Sequence, residues 1–444
     1  MAMKQTSLQP RKSRPLRLHR RSDADFSGQT YGADRIVLML LLVLLPLALT
    51  GQPLETLLDS ARTQNPVILA EKSRYRAAQE RGAQVSQLPD PQVNLGAFVL
   101  PVETRLGAQN LGLGISQRLP WFGTLAQQER LADAESEVLR TRATQAQIEV
   151  IYALRLVYFS LYEIEEKQRI LTELEEVLTS RKALAEAQVA AGKTTLADPL
   201  RAEREQVGLR DERQILESQK PRLWAEINKI LNRRSDTAIL ITGRFAFAEM
   251  PFRKDTLRAQ LSKWHPSLQA IDQQKTAAEE RLRLNTLSGK PSFGVGVNYV
   301  QISPRTDSDP RDNGRDVLQL SASVQLPLRR EKYRAKEREE NLRMEQLEHE
   351  KQNQQNTLEA TLETAFAAHQ TARLRYERTE RQLELLEAEI RVVETAYRNG
   401  EARFERLLDL EKERLNYRLA ALSAIVESHR AVAAIQRFVE SEVD

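Results

Sequence analysis

Between Leu358 and Tyr397 an apolar or small residue recurs at every fourth or third position without a slip. The series is Leu358, Leu362, Ala365, His369, Ala372, Tyr376, Thr379, Leu383, Leu386, Ile390, Val393 and Tyr397. Steps of four and three keep one narrow stripe on one side of an α-helix, the mark of a coiled-coil seam. The pattern requires an uninterrupted helix whose stripe meets another helix. Alanine and threonine keep the seam thin, so the partner can approach closely. The surrounding segment, 329–398, predicts a helix ~105 Å long, and 123–190 predicts a second of ~100 Å, at ~1.5 Å per residue.

The rest of the chain suits long helices. Of 444 residues, 29% are charged and only 5% aromatic, which fits extended amphipathic helices better than one thick core. There is no cysteine, which excludes disulfides, thiolate chemistry and cysteine-ligated zinc. The formal charge of +4 is concentrated at the start. Residues 1–50 hold eight Lys/Arg and three Asp/Glu, so 58 basic and 59 acidic residues remain in the body. A body that is nearly neutral has no nucleic-acid footprint. The basic stretch runs into a 14-residue apolar run, Ile36–Leu49, short of the ~20 residues of a membrane helix. Basic flank, short apolar core and small or polar "TGQ" predict a secretory leader over 1–50.

The remainder repeats itself. Asn65-Pro66 matches His265-Pro266, and Pro91 matches Pro291, both at an offset of 200. Leu119-Pro120 matches Leu326-Pro327 at an offset of 207, and Gly192 matches Gly400 at 208. Landmarks in one order with a small drift indicate an internal duplication. The first repeat, 51–234, reads as a helix broken at Pro66, strands 92–100 and 110–119, long helix 123–190 and returning helix 199–232. A linker, 235–253, contains "TAILITG", which reads as a short strand. The second repeat, 254–444, reads as a helix broken at Pro266, strands 292–301 and 317–326, long helix 329–398 and returning helix 402–440. Asp198-Pro199 reads as an N-cap followed by proline in the first turn, and Pro221 as a kink.

The four strand patterns are out of place in such a chain. Leu318, Leu320, Ala322, Val324 and Leu326 alternate with Gln319, Ser321, Ser323 and Gln325. Leu111, Leu113, Ile115 and Leu119 alternate with Gly112, Gly114, Ser116 and Arg118. Apolar residues on one face and small or polar ones on the other fit a membrane barrel with a wet interior, and equally a soluble sheet packed on helices. Trp121 and Phe122 follow the second strand where an aromatic girdle would lie. Four strands cannot close a barrel, and an open edge cannot face lipid. Strands in a membrane would therefore have to be shared, and three copies would supply ~12.

The order "LPDPQVNLGAFVLPVET…LGLGISQRLPWFGTLAQQERLADAE", the duplicated plan and the turn "YRNGEARFERLLDLEKERL" resemble TolC-type outer-membrane factors over about residues 52–440. The "LPDP" start and "SQRLPWFG" end look most like the branch serving heavy-metal efflux pumps. The resemblance implies a mainly α fold with a small membrane β part: duplicated long-helix hairpins in a trimeric α-barrel under a shared 12-stranded β-barrel. It implies a passive conduit in the outer membrane of a Gram-negative bacterium, extending into the periplasm. Its partners would be two further copies of the chain, outer-membrane lipid, a periplasmic adaptor and an inner-membrane efflux pump of the RND type. It implies no enzyme activity and no cofactor.

The same resemblance assigns a periplasmic tip to the two helix turns, with Gly192 and Asp198 in one and Tyr397, Gly400, Arg406 and Asp409 in the other. Here the chain departs from the family pattern. Ala402 stands where a gate arginine is expected, and Arg406 where an acid is expected. The expected pairing is Arg406 with Asp409 or Glu405 of an adjacent helix. Segments 101–109 and 302–316 are expected as external loops. The five histidines have no metal-ligand spacing, no P-loop is present, and His369 on the seam reads as a packed residue. Two other readings fit part of the pattern: a periplasmic adaptor with a helical hairpin, and a coiled-coil scaffold without a channel. Neither accounts for two isolated strand pairs.

Overall fold

The computed structural model describes residues 53–439. The leader expected over 1–50 lies outside the described residues. The first half contains α1 (Leu54–Gln64), α2 (Pro66–Val85), β1 (Gln92–Thr104), β2 (Gly107–Leu119), α3 (Thr124–Ala190) and α4 (Ala197–Ile230). The second contains α5 (Lys254–Trp264), α6 (Pro266–Ser288), β3 (Ser292–Ser303), β4 (Val317–Gln325), α7 (Arg330–Asn399) and α8 (Phe404–Gln436).

The break between α1 and α2 has a chemical cause that the second half repeats with a different residue. Proline lacks the amide donor that would continue a helix but fits its first turn. Before Pro66, the Asn65 side-chain oxygen accepts from the amides of Val67 (2.9 Å) and Ile68 (3.2 Å). Before Pro266, His265 Nδ1 accepts from the Ser267 amide at 3.3 Å. An imidazole can accept there only while neutral. Burial, aided by the charge of Arg437, lowers its pKa to about 4.

The two long helices contain 67 and 70 residues. The seam of α7 faces inward. Nine of its members are buried, and Tyr376, Leu383 and Val393 are partly buried. In the lower part α3 packs against α4 and α8, and α8 carries α7. Toward the sheet, α3 packs against α2 and α6, and α6 against α7. The largest core lies midway along α3, around Leu154, Tyr158, Phe159, Leu161 and Tyr162, joined by Leu57 and Leu58 of α1 and Ile227 of α4. Each such side chain contributes roughly 1.5–3 kcal/mol by leaving water.

Across this region runs the segment between the halves. It forms no strand, contrary to the reading of "TAILITG". Ile239 and Ile241 pack into the helical core, and helices rather than a strand edge lie beside them. Its backbone is held by side chains instead. The Phe245 amide donates to Tyr162 Oη (3.1 Å), and the Ala248 amide to Ser428 Oγ (2.9 Å). The carbonyls of Ala246 and Ala248 lie 2.9 and 2.7 Å from Nε2 of His429 and His369. A carbonyl only accepts, so both imidazoles carry their proton on Nε2. His369 is therefore a strap-holding residue as well as a seam residue.

The strands form one antiparallel sheet in the order β1-β2-β3-β4. The first hairpin is longer than the sequence indicates. β1 runs through 101–104 and β2 starts at Gly107, so most of the expected loop 101–109 is strand. The strand runs through Pro101 because β1 is an edge strand and its register slips between Ala97 and Val102. The missing proline donor therefore removes no rung of the ladder. The second connection, 304–316, is a longer turn closed by Asn313, which accepts from the Arg305 amide at 2.7 Å.

Candidate functional site

Two regions concentrate the residues singled out from the sequence: the sheet and the end of the helices farthest along the chain from it. In the sheet, pairing aligns the alternating residues of all four strands. Leu95 pairs with Leu113, Leu113 with Tyr299, and Tyr299 with Leu318. Val93, Ile115, Val297 and Leu320 form the next row. Alternation along a strand places these rows on one face. The opposite face carries Asn94, Gly114, Asn298 and Gln319, then Gln92, Ser116, Gly296 and Ser321. Among the described residues no helix covers the apolar face: Leu95 and Leu320 are each 79% exposed. An uncovered apolar surface of this extent marks a site of contact with another protein or with a membrane. Both outer edges, β1 and β4, lack a strand partner.

Trp121 and Phe122 sit where β2 gives way to α3. Trp121 stacks on Phe293 of β3 with ring centroids 6.0 Å apart, and Phe122 is 80% exposed. The three rings mark the helix-side border of the apolar face.

At the other region the two helix turns are built alike. Gly192 (φ 71°) and Gly400 (φ 83°) occupy the left-handed conformation. Around Gly192 the amide of Lys193 reaches the Gln188 carbonyl (2.9 Å) and that of Gly192 the Val189 carbonyl (2.9 Å). Around Gly400 the corresponding bonds are Glu401 to Ala396 (2.8 Å) and Gly400 to Tyr397 (3.0 Å). These are Schellman caps, which satisfy the last carbonyls of α3 and α7 and turn the chain back.

Asp198 and Tyr397 meet between the turns. Asp198 lies in the first turn of α4 behind Leu196, so it is not the N-cap. Its carboxylate accepts from Thr194 Oγ1 (2.5 Å) and Arg201 (3.1 Å). Tyr397 is buried against Phe404, ring centroids 5.3 Å apart. Its hydroxyl lies toward Asp198 without closing a well-aligned hydrogen bond. Burial and the Asp198 charge push the phenol up to about 12. Arg201 also reaches Glu405 of α8 at 2.8 Å, tying the two returning helices together.

Arg406 has a partner within its own chain. It pairs with Glu389 of α7, while Glu405 is taken by Arg201. Asp409 is exposed and has no ion-pair partner among the described residues. Ala402 packs against the apolar cluster of the tip.

One arrangement near the tip escaped the sequence reading. Arg181 of α3, largely buried, reaches Glu394 of α7 (2.5 Å) and Glu411 of α8 (3.0 Å). Arg398 and Arg414 flank these acids at 2.7 Å each. Burial acts to raise the Glu394 carboxyl, but hydrogen bonds from Arg398 and Arg181 outweigh it and hold the pKa below the usual range. The spacings Glu394–Arg398 and Glu411–Arg414 are visible in the sequence. The bond joining the two halves is not.

No protein-family model matches the chain, and no curated protein matches it in sequence. Solved structures do match. The outer-membrane channel OprN superposes with a TM-score of 0.72 at 20% identity, covering 88% of this chain and 90% of that one. CusC, described in terms of transmembrane channel formation, gives 0.70 at 14% identity, covering 87% and 91%. The open state of the Neisseria gonorrhoeae MtrE outer-membrane channel gives 0.69 at 16%, covering 87% and 89%. The chain has the outer-membrane channel fold. CusC superposes about as well as OprN and MtrE and at lower identity than either, so the fold alone does not single out a heavy-metal branch.

Proposed function

We propose that this chain is one subunit of a trimeric outer-membrane efflux conduit. The observation that carries the reading is the sheet: four strands, one continuous apolar face without cover, one polar face and two open edges. Backbone groups on those edges cannot be left in hydrocarbon. Pairing β1 of one copy with β4 of the next removes every edge, and a repeated head-to-tail contact that closes makes a ring. Three copies give ~12 strands, within the known range of membrane barrels. Trp121, Phe122 and Phe293 then lie at the periplasmic membrane interface. Helices ~100 Å long carry the tunnel across the periplasm.

The conduit is passive. Its tip, with Asp198, Tyr397, Arg201 and Glu405 between the turns at Gly192 and Gly400, is the periplasmic gate. A periplasmic adaptor and an RND-type inner-membrane pump would meet the tip and supply energy, and no catalytic role is assigned. Resemblance in the first strand pair favours heavy-metal cations as cargo, but up to the register shifts the wet face of the sheet has no carboxylate at its paired positions to attract them.

The test is electron cryo-microscopy of protein extracted from outer-membrane fractions. A threefold particle with a β-barrel above a helical tunnel is the expected result. A monomer or dimer that stays soluble without detergent would overturn the reading.

A further inference from the structure

The wet face of the sheet differs from what a cation conduit would require. From its helix-side end up to the register shifts, its paired positions carry Gln92, Asn94 and Gly96 in β1, Gly112, Gly114 and Ser116 in β2, and glycine, asparagine, serine, glutamine and the Val300–Val317 pair across β3 and β4. One charged side chain shares that face: Arg118, in step with Ser116 and paired with Gly294. Arg118 is exposed, and its guanidinium has no ion-pair partner among the described residues. Gly294 places no side chain opposite it. Asp90, just before β1, lines the same depression without closing an ion pair with it.

From this juxtaposition we propose that Arg118 is the charge-selecting residue of the barrel and biases passage toward anionic solutes. The inference rests on the trimeric conduit described above, in which three copies of Arg118 form one ring where tunnel and barrel join. A barrel of ~12 strands spaced ~4.8 Å and tilted ~40° has a backbone radius of ~12 Å. An arginine spans about half of that, leaving each guanidinium ~6 Å from the axis and permanently charged. In water at ~0.15 M salt, with a screening length of ~8 Å, three such charges alter the local partition of a monovalent ion about fivefold, upward for anions and downward for cations. Rings of Arg or Lys select anions in other pores by the same physics, and rings of Asp or Glu select cations.

The experiment is reversal-potential measurement on the full chain in planar bilayers under a KCl gradient. It is run in wild type and in an Arg201→Gln background, which cuts the ion pair between the returning helices, so that the tip does not mask the barrel. The expected result is that Arg118→Gln lowers the chloride-to-potassium permeability ratio by roughly threefold or more. Arg118→Glu should lower it further, Arg118→Lys should keep it, and Asp90→Asn should raise it. The effect should shrink in ~1 M salt, where screening shortens to ~3 Å. Conducting channels whose ratio is the same in wild type, Arg118→Gln and Arg118→Glu would overturn the assignment and leave the conduit standing. Folded protein that conducts in no background would overturn the conduit itself, and the assignment with it.

Discussion

Replacing Arg181 by methionine should loosen the tip without unfolding the rest. Arg181 is the side chain of α3 that ion-pairs with both α7 and α8 of the second half. Its Nε donates to Glu411 Oε1 at 3.1 Å, and the Glu411 side chain is 1% exposed. Arg414 stands 2.7 Å from the other oxygen, but that contact is not a well-aligned hydrogen bond. Removing one partner of a buried ion pair commonly costs about 3–5 kcal/mol, because a charge is left behind in a dry site. Arg414 and Arg398 remain as neighbours of the two acids, so the cost here should be smaller, roughly 2 kcal/mol. An opening equilibrium shifted by that amount changes about 30-fold. Amide hydrogen exchange reads it directly: amides in 386–411 and 175–190 should exchange about 30-fold faster, while those around Tyr158 stay protected. Adding Glu411→Gln should recover part of the loss, since the stranded charge is then gone. Exchange at the tip within threefold of wild type would refute the reasoning, as would a double variant worse than the sum of the singles.

His265 should make the upper helices sensitive to acid. Its folded pKa of about 4 lies below its ordinary value, so the neutral form is favoured in the fold. The associated stability is present above pH ~6.5 and is lost as pH falls from there toward 4, to a total of ~3 kcal/mol. His265→Asn copies the cap at Asn65 and should abolish this acid step in thermal melts, whereas an unchanged step would assign it elsewhere. On the apolar sheet face, Leu320→Arg should cost ~2–4 kcal/mol in the bilayer and reduce assembled protein in outer-membrane fractions, whereas Ser321→Arg on the wet face should not. Gly192→Ala and Gly400→Ala meet no neighbouring atom within 4 Å, so only the left-handed backbone opposes them. Each should cost ~1 kcal/mol, with asparagine costing less, in exchange protection of the turns.

Patterns that recur within one element were legible in the sequence. The seam of α7 could be read because each burial decision recurs every three or four residues. The strand faces could be read because alternation has a period of two. The duplication gave correspondence between halves, including two different residues capping the two proline-led helices. What escaped was long-range or context-bound. The extension of β1 through Pro101 depends on the edge position and register slip of that strand, neither of which a local pattern shows. The segment with Ile239 and Phe245 has no periodicity, because each residue answers to a different helix. The pairing of Arg406 with Glu389 spans the turn at Gly400, and no local pattern marks it. Arg181 and Glu411 are 230 residues apart, and nothing local links them.

The two open edges of the sheet have a genetic consequence. A subunit whose β4 edge is blocked, for instance by Ser323→Pro, can still offer β1 to a normal neighbour. It would enter a ring and then prevent its closure. In a cell making normal and blocked subunits in equal amounts, only about one ring in eight would contain three normal copies, since all three positions must be filled correctly. Such an allele would be dominant and would remove most of the function while half the protein remained sound.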